Sequence, residues 1–395
     1  GTPLVSIGSE DSEQLKYVPA QLQVVRHHRL KYACPHCHQY VVTADRPKPP
    51  IPKSVASPSL LAGIAVHKYA DALPLYRQET IFARLGITLD RTNLAHWMVQ
   101  AGQLVQPLIN LLGDQWAAQP VVHMDETPVQ VLHEPGKPAQ SESWMWVRAS
   151  AGDHPVRLFD YAPTRAKTVP LQLLTADTQV LMVDGYSGYA EACDRYGILR
   201  LGCWAHCRRK FVDAQRLQPK GKTGKPDQAL AYIAQLYRVE SGCRDGPPEQ
   251  RYAQRQQHSK PILDQLHAWL EKTLPTTPPK TTLGLALTYL ANQWPRLTRY
   301  LEDGCYPIDN QLAENSIRPF AVGRRNWLFC NSQAGARASA NLYSLIETAK
   351  ANGLNPQRYL ERVFTGLPNV KTVADYEALL PWHLPDPALE TSRAD

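Results

Sequence analysis

The sequence predicts a multidomain α/β protein in which a mixed sheet carries helices on its faces, is interrupted by a helical insertion and is preceded by a helical domain. Three observations carry that expectation. Between Pro120 and Phe211 short apolar runs with strand periodicity alternate with polar turns, in the order strand, strand, strand, helix, strand, helix, strand. From Leu217 to Tyr300 the pattern becomes helical and breaks that order, and it is helical again between Pro58 and Ala118. The composition, 43% hydrophobic and 20% charged over 395 residues, supports two or three globular units and excludes a disordered chain.

Taken in order, residues 1–45 hold a basic strand-like run from Val24 to Val42 that contains Cys34-Pro35-His36-Cys37. This reads as a partial zinc-finger-like segment. Residues 46–57 form a proline-rich linker, stiff because proline fixes φ and removes a backbone donor. Residues 58–118 read as three helices, near Ser59 to Tyr69, Pro74 to Leu85 and Asp90 to Gly102, with Gly86 ending the second and Asp90 capping the third. Two helices joined by Gly86-Ile87-Thr88-Leu89 match a DNA-binding helix-turn-helix, whose recognition helix would offer Arg91, Asn93 and His96 to a groove. An ordinary helical hairpin satisfies the same pattern.

Residues 119–216 supply the first part of the core. Strands are expected at Val121 to Met124, Trp144 to Ala149, Val156 to Asp160, Val180 to Val183 and Ile198 to Trp204, with helices from Arg165 to Leu174 and Tyr189 to Tyr196. That succession is the order of a ribonuclease-H-like core. Residues 217–304 are the helical insertion. Residues 305–352 return to the core with a short helix from Asn310 to Arg318, capped by Asp309, and a longer one from Ala334 to Asn352. Residues 353–395 form a helical tail that starts at Asn355-Pro356 and frays over its last dozen residues.

The composition also bounds the function. No run reaches the roughly 18 apolar residues of a membrane span, and no basic segment precedes an apolar one at the N-terminus, so a cytoplasmic protein without membrane partners is expected. Eight cysteines are too sparse for a disulfide scaffold. The net charge of +7 suits a polyanionic partner. The chain opens on Gly1, from which we expect that an N-terminal piece is missing.

Two acids follow strand runs, Asp125 in HMDETPVQV and Asp184 directly after the buried-type run VLMV. Adjacent parallel strands would bring both carboxylates to one end of the sheet, where open α/β sheets keep their sites. A third, Glu314 in DNQLAENSIRPF, lies on a helix that could flank the same edge. Three clustered carboxylates repel one another unless cations join them, and two divalent ions held in this way are suited to phosphoryl transfer on nucleic acid. Each acid also has a plainer reading: Asp125 and Asp184 as turn residues, and Glu314 as the ion-pair partner of Arg318 one helical turn on. Glu126 is the weaker candidate beside Asp125, because strand neighbours point to opposite faces, and the helix around Glu347 reads as core packing.

The runs MDETPVQV, VDGYSGYAEACDRYG, LGCWAHCRRKF and DNQLAENSIRPFAVGRRNWLFCNSQAGARASANLYSLIETAKANGLNPQRYL resemble those of the DDE transposases of the insertion sequence sixty-six family. The resemblance extends from about Glu13 to Leu384. It implies that Asp125, Asp184 and Glu314 are catalytic ligands of two Mg²⁺ or Mn²⁺ ions. The implied activity is hydrolysis of a phosphodiester at each transposon end, followed by transfer of the freed 3′-hydroxyl into target DNA. An inactive or regulatory DNA-binding remnant and a ribonuclease-H-like nuclease stand as the alternatives.

The family also implies a Zn²⁺-binding segment before the helix-turn-helix. Only Cys34 and Cys37 stand there, so the ligand set is incomplete unless His27, His28, His36 or His38 substitutes. His206, flanked by Cys203 and Cys207, is a candidate active-site neighbour, while Cys203 reads as a core thiol. Arg208, Arg209 and Lys210, with Arg318, Arg324 and Arg325, are candidate DNA contacts, and a solvated basic face is the plain reading of each. Trp327 reads as core. Two transposon ends acting together imply a homodimer or larger assembly on DNA, and the family implies small accessory proteins.

Overall fold

The computed structural model describes residues 3–384 apart from residues 5, 18, 19, 38, 39, 220 and 222. His38 and the tail from Pro385 onward, expected to fray, lie outside the described residues. At the N-terminus β1 (Lys31–Ala33) and β2 (Val41–Thr43) pair antiparallel around a turn that carries Cys34 and Cys37. The proline-rich stretch after it is anchored rather than free, with Pro50, Ile51 and Ala56 buried.

Four helices follow. Ser57 caps α1 (Pro58–Tyr69) by accepting the Leu60 N–H at 3.2 Å. The next helix, α2 (Leu75–Arg84), ends before Gly86, whose φ of +83° costs glycine little. Asp90 caps α3 (Arg91–Leu104) by accepting the Thr92 N–H at 2.7 Å, and α4 (Gln106–Ala117) continues from Val105. These helices have no core of their own: Leu61, Ile64, Leu94, Met98 and Leu112 belong to one buried cluster with Val122, Met145 and Phe159 of the sheet.

The sheet begins with the antiparallel meander β3 (Val121–His133), β4 (Glu142–Ser150) and β5 (Arg157–Ala162). After α5 (Thr168–Leu173), β6 (Val180–Val183) returns beside β3 in parallel, and after α6 (Ala190–Tyr196) β7 (Leu199–Gly202) adds parallel to β6. The order is β5-β4-β3-β6-β7.

The expected last strand is shorter than its apolar run. The chain turns at Cys203, and α7 (Trp204–Arg216) buries Trp204, Cys207, Phe211 and Ala214 at helical spacing, so Trp204 belongs to a helix. This face packs on the insertion, α8 (Lys225–Gly242), α9 (Pro248–Gln254), α10 (Lys260–Thr273) and α11 (Thr282–Leu297), in a second core built on Ile233, Leu266, Leu287 and Leu290. The next helix is longer than the expected Asn310 to Arg318: α12 (Gln311–Trp327) runs through Pro319, which removes a backbone donor. Its apolar face continues with Phe320, buried against Phe159 and Tyr343, and this burial offsets the lost backbone bond.

A short strand, β8 (Cys330–Ser332), then pairs parallel with the far end of β3. The edge strand β5 is covered by α13 (Gln333–Ala351): Ser344 Oγ accepts the Phe159 N–H at 2.7 Å, and Thr348 Oγ1 accepts that of Arg157 at 3.0 Å. Helices α14 (Pro356–Gly366) and α15 (Val373–Glu377) complete the described chain. Among the described residues no helix is long and apolar enough to cross a membrane.

The crossing of α3 and α13 depends on Gly102, where an added Cβ would lie 2.5 Å from the Ala338 Cα. Because backbone cannot yield cheaply, Gly102→Ala should destabilise the protein by about 1–3 kcal/mol. Urea unfolding of wild type and variant checks this.

Candidate active site

The candidate site lies at a gap in the sheet. Strand β3 is paired along one side with β4, but on the other it meets β6 only at Val121 to His123 and β8 only at Val131 and His133. Between those ladders lies Asp125. Asp184 follows the last residue of β6, and the β3–β6 register sets it level with Asp125, which lies inside β3 and not, as expected, after its end.

The start of α12 closes the gap. Asn310, fully buried, donates from Nδ2 to the Met124 carbonyl at 2.8 Å, takes up the His123 ring nitrogen Nδ1 at 3.0 Å with Oδ1, and gives its backbone N–H to the Cys203 sulfur at 3.2 Å. One side-chain amide thus does for β3 what a missing strand would do. Glu314 sits one helical turn after Asn310 and is carried to the same opening. Burial pushes the His123 ring down to about 4, so the imidazole is neutral at ordinary pH.

The electrostatics are those of acids crowded without cations. Burial, first, and then the Glu126 charge push the Asp125 carboxyl up to about 8, with Asp184 and Glu314 adding to the rise. Its hydrogen bond is to the Glu126 N–H at 3.0 Å, and among the described residues no Lys, Arg or His pairs with it. Asp184 accepts the Tyr186 N–H at 2.9 Å, so it serves its turn as well as facing the site. Glu314 pairs with Arg209 at 3.2 Å and with His206 Nδ1 at 3.3 Å, not with Arg318. Burial lowers the His206 pKa against the opposing pull of Glu314. Cys203, His206 and Glu314 bring their ligand atoms within 4.8 Å of one another, the one such group of three or more among the described residues. Cys203 itself is a buried thiol, pushed up to about 12 by desolvation.

Glu126, set aside on strand alternation, proves central to the charge balance. It is buried, and its pKa is raised chiefly by that burial. The Tyr189 hydroxyl donates to it at 2.7 Å and Arg165 at 2.7 Å, and Arg165 is itself stacked 4.1 Å from the Tyr186 ring centre and 4.9 Å from that of Trp144. The sequence carried a signal in the neighbouring acids of Asp125-Glu126, but not the identity of partners lying 39 and 63 residues on.

The other candidates are distributed around this centre. Arg208 and Arg209 line a cleft of about 600 Å³ with Arg216, Tyr237 and Glu314. Arg318 and Arg325 are exposed on α12, whereas Arg324 is turned inward to Thr127 Oγ1 at 3.1 Å and to the Pro128 carbonyl. Arg91, Asn93 and His96 share the exposed side of α3 while Leu94, Trp97 and Met98 are buried. Trp327 packs edge-on against Phe320. Cys34 and Cys37 lie together in the β1–β2 turn, where the Cys37 and His36 amides lower the Cys34 pKa. Two thiols in such a turn suit half of a zinc site. Among the described residues no third or fourth ligand joins them, so the donors present do not complete it.

Comparison with known proteins gives matches along most of the chain. The sequence model described as "Transposase IS66 family" matches residues 53–338, "IS66 C-terminal element" matches 344–382, and "zinc-finger binding domain of transposase IS66" matches 1–38. The chain is similar to two proteins of Sinorhizobium fredii, each described as uncharacterized. It is 33% identical to y4qI over 402 residues, spanning 98% of this chain and 74% of the relative. It is 34% identical to y4jD over 395 residues, spanning 95% of this chain and 76% of the relative.

Two measurements probe the site. Asp125 takes up a proton far more readily folded, at about 8, than at its usual 3.8, so without divalent ion stability falls as pH rises from about 4 to about 8. Asp125→Asn should therefore raise the metal-free melting temperature at pH 8 by at least about 3 °C and leave it nearly unchanged at pH 4. Asn310→Ala, which strands the Met124 carbonyl and the His123 ring, should cost about 1–3 kcal/mol in urea unfolding.

Proposed function

From the premise that the chain belongs to the IS66 transposase family, we propose that it cuts phosphodiester bonds at transposon ends and joins the freed 3′-hydroxyls to target DNA. The observation that carries this reading is that Asp184, at the end of β6, and Glu314, on α12, both act on Asp125 at the gap in β3. The sheet order β5-β4-β3-β6-β7, with the first three strands antiparallel and the next two parallel, supports a ribonuclease-H-like core.

Buried carboxylates whose mutual repulsion is met by no basic partner at Asp125 fit hard divalent cations. Asp125, Asp184 and Glu314 would hold two Mg²⁺ or Mn²⁺ ions, which supply activation of the attacking oxygen and stabilisation of the leaving one. The chain's own residues do the rest. Arg209 bonds one oxygen of Glu314 at 3.2 Å, and His206 stands 3.3 Å from the other, which has no hydrogen-bond partner among the described residues. Arg208 and Arg216 give the adjoining cleft the charge to guide a phosphate backbone toward Glu314. Arg165 and Tyr189 hold Glu126 beneath the site, so its charge is balanced within the protein. Cleavage and joining both displace oxygen in line at phosphorus, so one centre serves both with water and then a hydroxyl as nucleophile.

The exposed side of α3, with Arg91, Asn93 and His96, supports a helix-turn-helix that reads the transposon ends. Two ends joined in one event call for at least a dimer on DNA.

Mn²⁺-dependent nicking of supercoiled plasmid tests the proposal. Asp125→Asn, Asp184→Asn and Glu314→Gln should each lower nicking by about 100-fold or more, in line with the loss of a charge-stabilising group. Equal nicking by wild type and Asp184→Asn would remove the activity from this site. Capture of labelled 3′-ends in target DNA then separates a transposase from a nuclease that only cuts.

A further inference from the structure

The C-terminal end of α12 has a feature that neither phosphoryl transfer nor core packing uses. Leu328 stands at φ +65° and ψ −51°, and the Phe329 N–H bonds the Trp327 carbonyl at 2.8 Å. This is a γ-turn of the rare, strained hand, in a position where glycine would relieve the backbone. The strain turns two large apolar side chains outward: Leu328 is 63% and Phe329 42% exposed, while Cys330 next to them is buried in β8.

The patch continues along α12. Asn315, Arg318, Val322 and Arg325 are exposed at alternating spacings of three and four, so they form one stripe from Glu314 to the turn. Val322 is 52% exposed. Among the described residues neither Arg318 nor Arg325 has an ion-pair partner. Gly323, on the buried face of α12, lies against Ala72 in the α1–α2 connection. The helix rises about 20 Å between Glu314 and Trp327, the length of roughly six base pairs.

We infer that Leu328 and Phe329 form a wedge that enters duplex DNA and unstacks a base step, while Arg318 and Arg325 hold the flanking phosphates. Apolar side chains inserted between base steps are a means by which proteins unstack a step and bend the duplex. The charge of the stripe selects DNA over a protein partner, because unpaired guanidiniums on one helix face complement a phosphate backbone spaced along the same line. This inference rests on the reading of the chain as a DNA-processing protein and adds a contact about six base pairs from the cut.

A step that is already unstacked costs less to open, so the wedge predicts a preference for distorted DNA. The probes are two labelled 30-base-pair duplexes, one fully matched and one with a central double mismatch, titrated by fluorescence anisotropy without divalent ion. Wild type should bind the mismatched duplex at least about fivefold tighter. Leu328→Gly/Phe329→Ser should lose that preference while holding the matched duplex within about twofold. Arg318→Ala/Arg325→Ala should weaken both duplexes and reduce the salt slope by about two.

Leu328→Gly/Phe329→Ser, which relieves the strain and changes two exposed side chains, should melt within about 3 °C of wild type, so a lost preference cannot be laid to unfolding. Absence of the preference in wild type, or its survival in the double variant, overturns the wedge. A change in self-association with DNA binding untouched overturns it in favour of a contact between copies. Because no divalent ion is present, failure of nicking at the carboxylates is read separately from failure of the wedge.

Discussion

The arrangement of the site turns on the side chain of Asn310. Strand β3 is long enough to serve two ladders, and β6 and β8 each take only one end of it. The uncovered middle holds the Met124 carbonyl, a buried acceptor that needs a donor. Asn310 supplies it, and in doing so fixes the first turn of α12 against the strand that carries Asp125. The same residue engages His123 and the Cys203 sulfur, which lie on the two sides of the opening. A neutral His123 suits this role, since an imidazolium would add an uncompensated buried charge.

The charges around that node are sorted by depth. Glu126 is buried but answered by Arg165 and Tyr189, so its repulsion of Asp125 is fixed within the fold. Glu314 is answered by Arg209 near the surface. Asp125 alone keeps a strongly raised pKa and no basic partner, and so has most to gain from a cation. Alternation along β3 does not separate the fields of Asp125 and Glu126 across a few ångströms of low-dielectric interior.

Much of this was legible in the chain because the strongest signals are local. An acid after VLMV marks the end of β6 at a sheet opening, and the cap at Asp90 and the stop at Gly86 mark helix ends to within a residue or two. The failures are equally physical. Pro319 is a sound reason to stop a helix, and only the tertiary burial of Phe320 overrides it. Gly202-Cys203-Trp204 continues a strand pattern, and only the insertion, by burying Trp204, makes it a helix start. Arg165 and Tyr189 as partners of Glu126, and Asn310 as a surrogate strand, depend on long-range contacts that no local period encodes.

The late arrival of β8 has a consequence for the protein as it is made. His133 on β3 bonds the Asn331 carbonyl 198 residues further along the chain, and Glu314 is likewise translated after the whole insertion. At roughly 5–20 residues per second, a ribosome leaves β3 waiting for some 10–40 seconds before its last neighbour is synthesised. During that interval Asp125 and Asp184 are present without Glu314 or the helix that aims it. An unfinished chain, or one ended by a premature stop inside the insertion, therefore lacks the means to assemble the three carboxylates.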